Sequence, residues 1–354
     1  MSVAATTPSA TLSTPLARGW LRGATFDLNL IGTVAALALI AGLVALVHPE
    51  LAAWVLFLDV WLLGYHHVVS TFTRLVFDAE SFRQHRFLVL HLPLIVLAAT
   101  FAAIGLLGLW VLPTTYLYWQ WFHYTRQSYG IERAYRRKAD PHALVDDYAT
   151  TRALYLLPLA GIAYRSFQAQ PTFLGMNVVY LPVGSLVLGI VAALAIAAVV
   201  YATARQWMAW RQGRLPLAHT LYVWSHTIIF LVGYILIEDI TTGWLVLNVW
   251  HNAQYILFVW WFNNNRFRAG VDPQHRFLST LSQARNFVWY IAICLAISTM
   301  AYGLMYRAAV PLTAATAVPV AMVVLMVTNF HHYIVDGIIW RRKRSRAAVA
   351  AAAS

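Results

Sequence analysis

Six histidines stand in segments that are otherwise apolar. They are His66 and His67 in GYHHVVSTFTR, His123 in YWQWFHYTRQSYG, His251 in NVWHNAQYILF, and His331 and His332 in NFHHYIVDGIIWRRK. Imidazole is the commonest metal ligand and suits iron, copper and zinc. Ionisable groups at membrane depth are costly and persist where they face a cavity, a partner or a metal. A ligating histidine usually gives its other ring N–H to an oxygen acceptor, and candidates stand close by. Asp336 follows His332 by four residues and so shares its helix face. Gln127 follows His123 by four, Tyr255 follows His251 by four, and Asn252 is adjacent to His251.

This pattern predicts a buried metal site with ligands drawn from His66, His67, His123, His251, His331 and His332. Gln127, Asn252 and Asp336 are the expected hydrogen-bonding partners behind the ligands, and Tyr255 and Asp336 the catalytic candidates. In each adjacent pair the rings point about 100° apart on a helix, so one can ligate while the other packs. Whether the site holds one metal ion or two is left open. The rival role for Asp336 is an ion pair with a basic residue at the cytoplasmic end, such as Arg126 or Arg341. His48, His91, His142 and His219 are expected to bond backbone carbonyls or cap interfacial ends, and His85 and His275 to sit in basic loops. His226 lies where it can feed the same cavity.

The elements that must position these side chains are membrane helices. The chain has 354 residues, 60% apolar and 11% charged, with a mean hydropathy of +0.63. A soluble domain cannot hide that much apolar surface. Apolar runs of about 20 residues recur, giving an all-α polytopic class with about ten spans. These fall near 29–48, 51–70, 87–111, 114–131, 151–167, 179–204, 217–238, 243–262, 287–307 and 312–338. Arg74, Arg83, Arg86, Arg133, Arg136, Arg137, Lys138, Arg205, Arg211, Arg266, Arg276 and Arg341 all fall on one side of a ten-span arrangement. The positive-inside rule puts that side, and both termini, in the cytoplasm. The net charge of +12 thus reflects topology rather than a nucleic-acid partner.

The expected setting is a bacterial inner membrane, with residues 1–24 a disordered tail, 25–340 one transmembrane domain, and 341–354 a basic cytoplasmic tail. The one cysteine, Cys294, lies mid-span and offers neither a disulfide framework nor a cysteine metal site. Gln84-His85-Arg86-Phe87-Leu88 recurs as Gln274-His275-Arg276-Phe277-Leu278, each copy a little after an aspartate, Asp78 or Asp272. The copies lie six spans apart and share one orientation, which reads as a parallel internal repeat. The 15 tryptophans and 18 tyrosines read equally as interfacial belts and as walls of a tunnel for an apolar substrate.

The four histidine segments resemble the layout of the Brp/Blh family, membrane-embedded β-carotene 15,15′-dioxygenases that use iron. In that family an early span ends in Pro-His-Gly, a later one carries His-Phe-Gly, another His-x-x-x-His, and the last a histidine followed some five residues later by Asp. His66 or His67 stands for the first, His123 for the second, His251 for the third, and His331 or His332 with Asp336 for the last. The chain departs from the pattern at Tyr255, where the second histidine of His-x-x-x-His would stand, has no Pro-His-Gly, and carries more spans. The resemblance implies non-haem iron, dioxygen and an apolar substrate. The histidine boxes of membrane desaturases are absent.

Three functions compete. The first is a histidine-ligated non-haem iron oxygenase acting on a lipid-soluble small molecule, with dioxygen and an electron donor as partners and the bilayer as its surroundings. The second is a b-type haem electron-transfer protein. The third is a proton- or cation-coupled transporter. The doubled histidines with carboxamides and an aspartate suit a small metal pocket better than haem. Their confinement to one depth disfavours a transport path.

Overall fold

The computed structural model describes residues 19–77, 79–139, 143–314 and 319–340. Most of the predicted N-terminal tail and all of the tail at 341–354 lie outside the described residues, as do Asp78, His142 and Arg341. Helix α1 is Ala24–Val47, α2 Pro49–Thr73 and α3 Ala79–Leu107. Helix α4 is Val111–Lys138 and α5 Asp147–Gln168. A small hairpin, β1 (Thr172–Phe173) against β2 (Met176–Asn177), precedes α6 (Ser185–Arg211) and α7 (Leu217–Leu236). Helix α8 is Ile240–Arg266, α9 Ala284–Pro311 and α10 Val320–Ile339.

The protein is therefore all-α, and seven of these helices (α1, α2, α3, α6, α7, α9 and α10) are long and apolar enough to cross a membrane. The other three, α4, α5 and α8, have 28, 22 and 27 residues and are more polar. Away from their ends, most of the polar residues of α4 and α8 point inward. In α8 every residue from Gly243 to Ile256 is buried, Asn248, His251, Asn252 and Gln254 included. In α6 only 17% of the most apolar stretch is buried. Helix α8 packs against α1, α2, α4 and the end of α7, and α10 packs against α2, α3, α4 and α9. Polar helices at the centre with apolar ones around them is the arrangement that lipid demands, because a polar group facing hydrocarbon has no partner.

Two local devices set α8 in place. Its start is capped by Asp239, whose Oδ1 accepts from the Thr242 backbone N–H at 2.6 Å. At the preceding corner α7 and α8 cross at Gly233 and Gly243, where a Cβ on Gly243 would lie 2.1 Å from the Gly233 carbonyl. The buried Arg165 guanidinium donates to the carbonyls of Gly233 (3.0 Å), Ile237 (2.5 Å) and Glu238 (2.6 Å), satisfying acceptors left over as α7 ends. Helix α7 finishes in a π-helical segment, Val232–Leu236, and α2 contains another, Asp59–Tyr65, immediately before His66. Such segments insert a residue and turn the face that follows; they often mark functional sites.

The two Gln-His-Arg-Phe-Leu segments leave helical geometry at the same residue, His85 with φ −117° and ψ 18°, His275 with φ −125° and ψ 37°. His275 Nδ1 donates to Asp272 Oδ2 at 2.8 Å, and that hydrogen bond holds the Asp272 carboxyl below the usual carboxylate range.

Candidate metal centre

Four of the six histidines come together, one from each of four helices: His67 on α2, His123 on α4, His251 on α8 and His332 on α10. All four are buried. Neighbouring ring centres are 4.7 Å apart for His67–His251, 4.9 Å for His251–His123, 4.9 Å for His123–His332 and 4.4 Å for His332–His67. Across this ring, His67 and His123 are 6.3 Å apart.

Those distances have a simple meaning. A metal–imidazole bond is about 2.1 Å, and the ring centre lies about 1.1 Å further out. Four rings in a plane around one ion would have neighbouring centres about 4.5 Å apart and opposite centres about 6.4 Å apart, against about 5.2 Å for every pair in a tetrahedron. Taken together, the four sides and the His67–His123 diagonal are closer to the flat set than to the tetrahedron.

The donor atoms tell the same story. His67 Nε2 and His332 Nε2 face each other at 2.6 Å, closer than the roughly 2.7–3.2 Å of an N–H donor to its acceptor. Both ring nitrogens of His251, Nε2 of His123 and Nδ1 of His67 are buried without hydrogen-bond partners. Buried polar atoms are nearly always satisfied, so this concentration of unpartnered ring nitrogens suits a role in binding a cation. The donor atoms of His67, His123 and His251 all lie within 4.8 Å of one another, as do those of His123, His332 and Asp336. These buried groups could hold a metal ion.

Behind His332 stands a small polar network. Its Nδ1–H donates to Thr71 Oγ1 at 3.1 Å, which leaves the Nε2 lone pair facing the other imidazoles. Thr71 donates in turn to Asp336 Oδ1 at 3.2 Å, and the Tyr255 hydroxyl donates to the same oxygen at 2.7 Å. Trp340 Nε1 donates to the Tyr255 oxygen at 3.1 Å. The carboxylate thus reaches His332 through Thr71. Its own Oδ2 is 3.6 Å from His332 Nε2, the i, i+4 neighbourhood expected from the spacing but longer than a hydrogen bond. Arg126, one of the rivals for Asp336, donates instead to the Tyr155 hydroxyl at 3.0 Å.

The other sequence-predicted residues fall elsewhere. His66 is buried outside the ring of four, and His331 turns outward from it, where Nε2–H donates to the Leu88 carbonyl at 2.7 Å and the ring stacks on Phe72. Adjacent helical residues diverge by about 100°, so each pair sends one ring to the centre. Gln127 bonds the His251 backbone carbonyl at 2.9 Å rather than the His123 ring. Asn252 lies beside the Asp59 carboxylate. His226 accepts from or donates to Ser128 Oγ at 2.7 Å, and His219 meets Glu132 at 2.8 Å, both away from the centre.

Sequence reasoning missed Thr71, Asp59, Tyr124 and Asn248. Tyr124 stacks on His251 with ring centres 3.9 Å apart, and its hydroxyl donates to Asn248 Oδ1. Asn248 Nδ2 donates to Asp59 Oδ2 at 2.5 Å. The available signals were Thr71 one turn after His67, and Asp59 as a carboxylate in an apolar span.

Many of the aromatic rings near the histidines are packing material: Tyr333 stacks on His123 at 4.2 Å, and Trp119 on Phe330 at 5.5 Å. An apolar groove of about 240 Å³ opens between the α1–α2 turn, the hairpin loop and the start of α8, lined by Ala45, Ala52, Leu56, Leu174 and Leu245 among others. Leu245 precedes His251 by six residues, about 9 Å of helix rise. No family model, curated protein or solved structure matches the chain.

Proposed function

We propose that the four imidazoles hold one iron ion and that the protein is a membrane-embedded non-haem oxygenase acting on an apolar, lipid-soluble molecule. The observation that carries this reading is the convergence of His67, His123, His251 and His332, one from each of four helices, with neighbouring ring centres 4.4–4.9 Å apart. Structural zinc sites are tetrahedral and closed. A set of neutral imidazole nitrogens suits a redox-active transition ion, which would need free positions for dioxygen and substrate. The likeness of the four segments to the Brp/Blh layout favours iron among such ions. Bound iron would supply the activation of dioxygen. The chain's own residues would do the rest: Thr71 and Asp336 fix the His332 tautomer, and Tyr255 offers a hydroxyl beside His67, ring centres 4.3 Å apart. The groove near Leu245 offers an apolar chain a place at the bundle surface.

Against haem, a macrocycle would have to pass between rings whose centres are 4.4–4.9 Å apart. Against transport, the ionisable groups form a closed ring at one depth. We also read α4, α5 and α8 as crossing the membrane, for ten spans with both termini in the cytoplasm of a bacterial inner membrane. Their lengths and the one-sided basic loops support this, and the shared backbone break at His85 and His275 supports a parallel repeat.

Elemental analysis and an absorption spectrum of the detergent-purified protein test the proposal. One iron per chain without a Soret band is expected. A Soret band, or zinc as the only metal after expression with both available, would sink it. A reporter fused after Lys343 should read cytoplasm; an outside signal would refute the ten-span arrangement.

A further inference from the structure

The described residues contain four buried acids, Asp27, Asp59, Glu132 and Asp336. Three have a cation or at least two hydrogen-bond donors beside them. Asp27 accepts backbone N–H groups from Leu21, Arg22 and Gly23 at 2.9, 3.1 and 3.0 Å. Glu132 meets His219 at 2.8 Å and Arg136 at 3.7 Å. Asp336 accepts from Tyr255 and Thr71 and faces His332.

Asp59 is different. Oδ2 accepts from the neutral amide of Asn248, and Oδ1 is buried with no hydrogen-bond partner. Glu132 Oε2 is also unpartnered, but Glu132 has Arg136 and His219 beside it, whereas among the described residues no cation pairs with Asp59. A buried carboxylate without a cation is expensive, and the usual remedy is a positive charge nearby. The hydrogen bonds point to where that charge would be. Asn248 links Asp59 to the Tyr124 hydroxyl, and the Tyr124 ring lies on His251 at 3.9 Å. Asp59 and Asn248 also stand on the helices that carry His67 and His251, and Asp59 begins the π-helical segment that sets the face of α2 just before His67.

The centre has the complementary imbalance. A divalent ion on four neutral imidazoles keeps its full double charge in a region of low dielectric. Asp336 offsets one unit. We propose that Asp59 is the second counter-charge of the metal centre, a positioning residue that acts through Asn248 and Tyr124 and makes the site selective for divalent over monovalent ions. This rests on the reading of the four imidazoles as a metal site, but not on iron or on oxygenase activity.

The test compares two ions on the full-length, detergent-purified protein, cobalt(II) and silver(I), each measured by competition with a chelator of known affinity. Removing one negative charge costs the bound ion in proportion to the ion's own charge. Asp59→Asn is therefore expected to lower cobalt(II) affinity by about 100-fold and silver(I) affinity by about 10-fold, the larger factor being what an outer partner typically contributes. Asp59→Ser, a second neutral variant, should repeat the unequal loss, and Asp59→Glu should keep the wild-type ratio of the two affinities. Equal factors for both ions would mean that Asp59 acts only on the fold. Unchanged affinities would mean that it carries no charge in the bound state. Either result overturns the proposal while leaving the metal site standing. Wild-type protein that binds neither ion overturns both.

Discussion

Two groups of buried histidines sit in this bundle, and they differ in one respect. His219 and His226, on α7, each have a side-chain partner: Glu132 at 2.8 Å and Ser128 at 2.7 Å. Their network continues from Ser128 through Tyr222 to Gln254 and the Leu30 carbonyl. It joins α4, α7, α8 and α1, and its hydrogen bonds run between protein groups. His67, His123, His251 and His332 are just as buried. Each group leaves some ring nitrogens without a partner, His219 Nδ1 and His226 Nε2 included, but only these four rings, from four helices, gather at one point. Burial of histidine in a membrane helix therefore does not by itself indicate a ligand. Convergence of several imidazoles from different helices does, because crowding like groups together in the interior gains a fold nothing unless something binds between them.

Substitutions can break this contrast. The largest effect is expected for removing a converging ring. His251→Ala or His332→Ala should cost metal affinity beyond the roughly 100-fold that an outer partner contributes. His226→Ala should leave metal stoichiometry and affinity as in wild type, since its ring faces Ser128. Equal metal loss in His226→Ala would erase the distinction between the two groups.

The converse effect belongs to the network around Glu132. Glu132 is completely buried between His219 and Arg136. Glu132→Gln removes one member and leaves the others partly unpaired, for which a loss of about 3 kcal/mol is expected. Thermal unfolding in detergent should show it, with metal affinity per folded molecule unchanged. A variant that keeps its unfolding temperature but sheds metal would show that the two networks are one.

Asp336→Asn tests the boundary between them. The carboxylate accepts from Tyr255 and Thr71, and Thr71 accepts the His332 ring N–H. The amide keeps the size but weakens the acceptor, so metal affinity should fall by about 10- to 100-fold without being lost. If Asp336 served only to stabilise the helix end, unfolding temperature would drop and metal occupancy would not.

Much of this was legible in the sequence. Apolar runs gave helices near every expected span, because hydrophobicity and length are local properties. The histidine segments announced themselves for the same reason: ionisable groups are rare in such runs. What the sequence could not give was direction. Nothing local distinguishes His66 from His67, and the choice depends on the π-helical turn of Asp59–Tyr65, a departure from regular spacing. Partners set by packing between helices were equally hidden. Thr71 and Asp336 are 265 positions apart, and Tyr124 and Asn248 are 124 apart, so only the folded bundle shows that they touch. Gln127 illustrates the opposite error, since correct helical spacing from His123 led to a residue that bonds the next helix instead.

The smallest expected effect concerns the last histidine pair, where two neighbours of identical chemistry should behave in opposite ways. His331 has its ring N–H on the Leu88 carbonyl at 2.7 Å and its face against Phe72, 5.7 Å between centres. His332 is fully buried with Nε2 in the ring of four. His331→Phe preserves the stacking and the volume and gives up one hydrogen bond, so it should cost about 1 kcal/mol of stability. Metal affinity should not change. His332→Phe keeps a similar shape too, but deletes a donor nitrogen and should release the metal. Because the two substitutions are the same and the positions adjacent, differences in expression, insertion or detergent behaviour largely cancel. The ratio of metal bound in the two variants then reads orientation alone. Equal metal content would mean that α10 presents a different face to the centre, and with it that Asp336, one turn further on, has a different role.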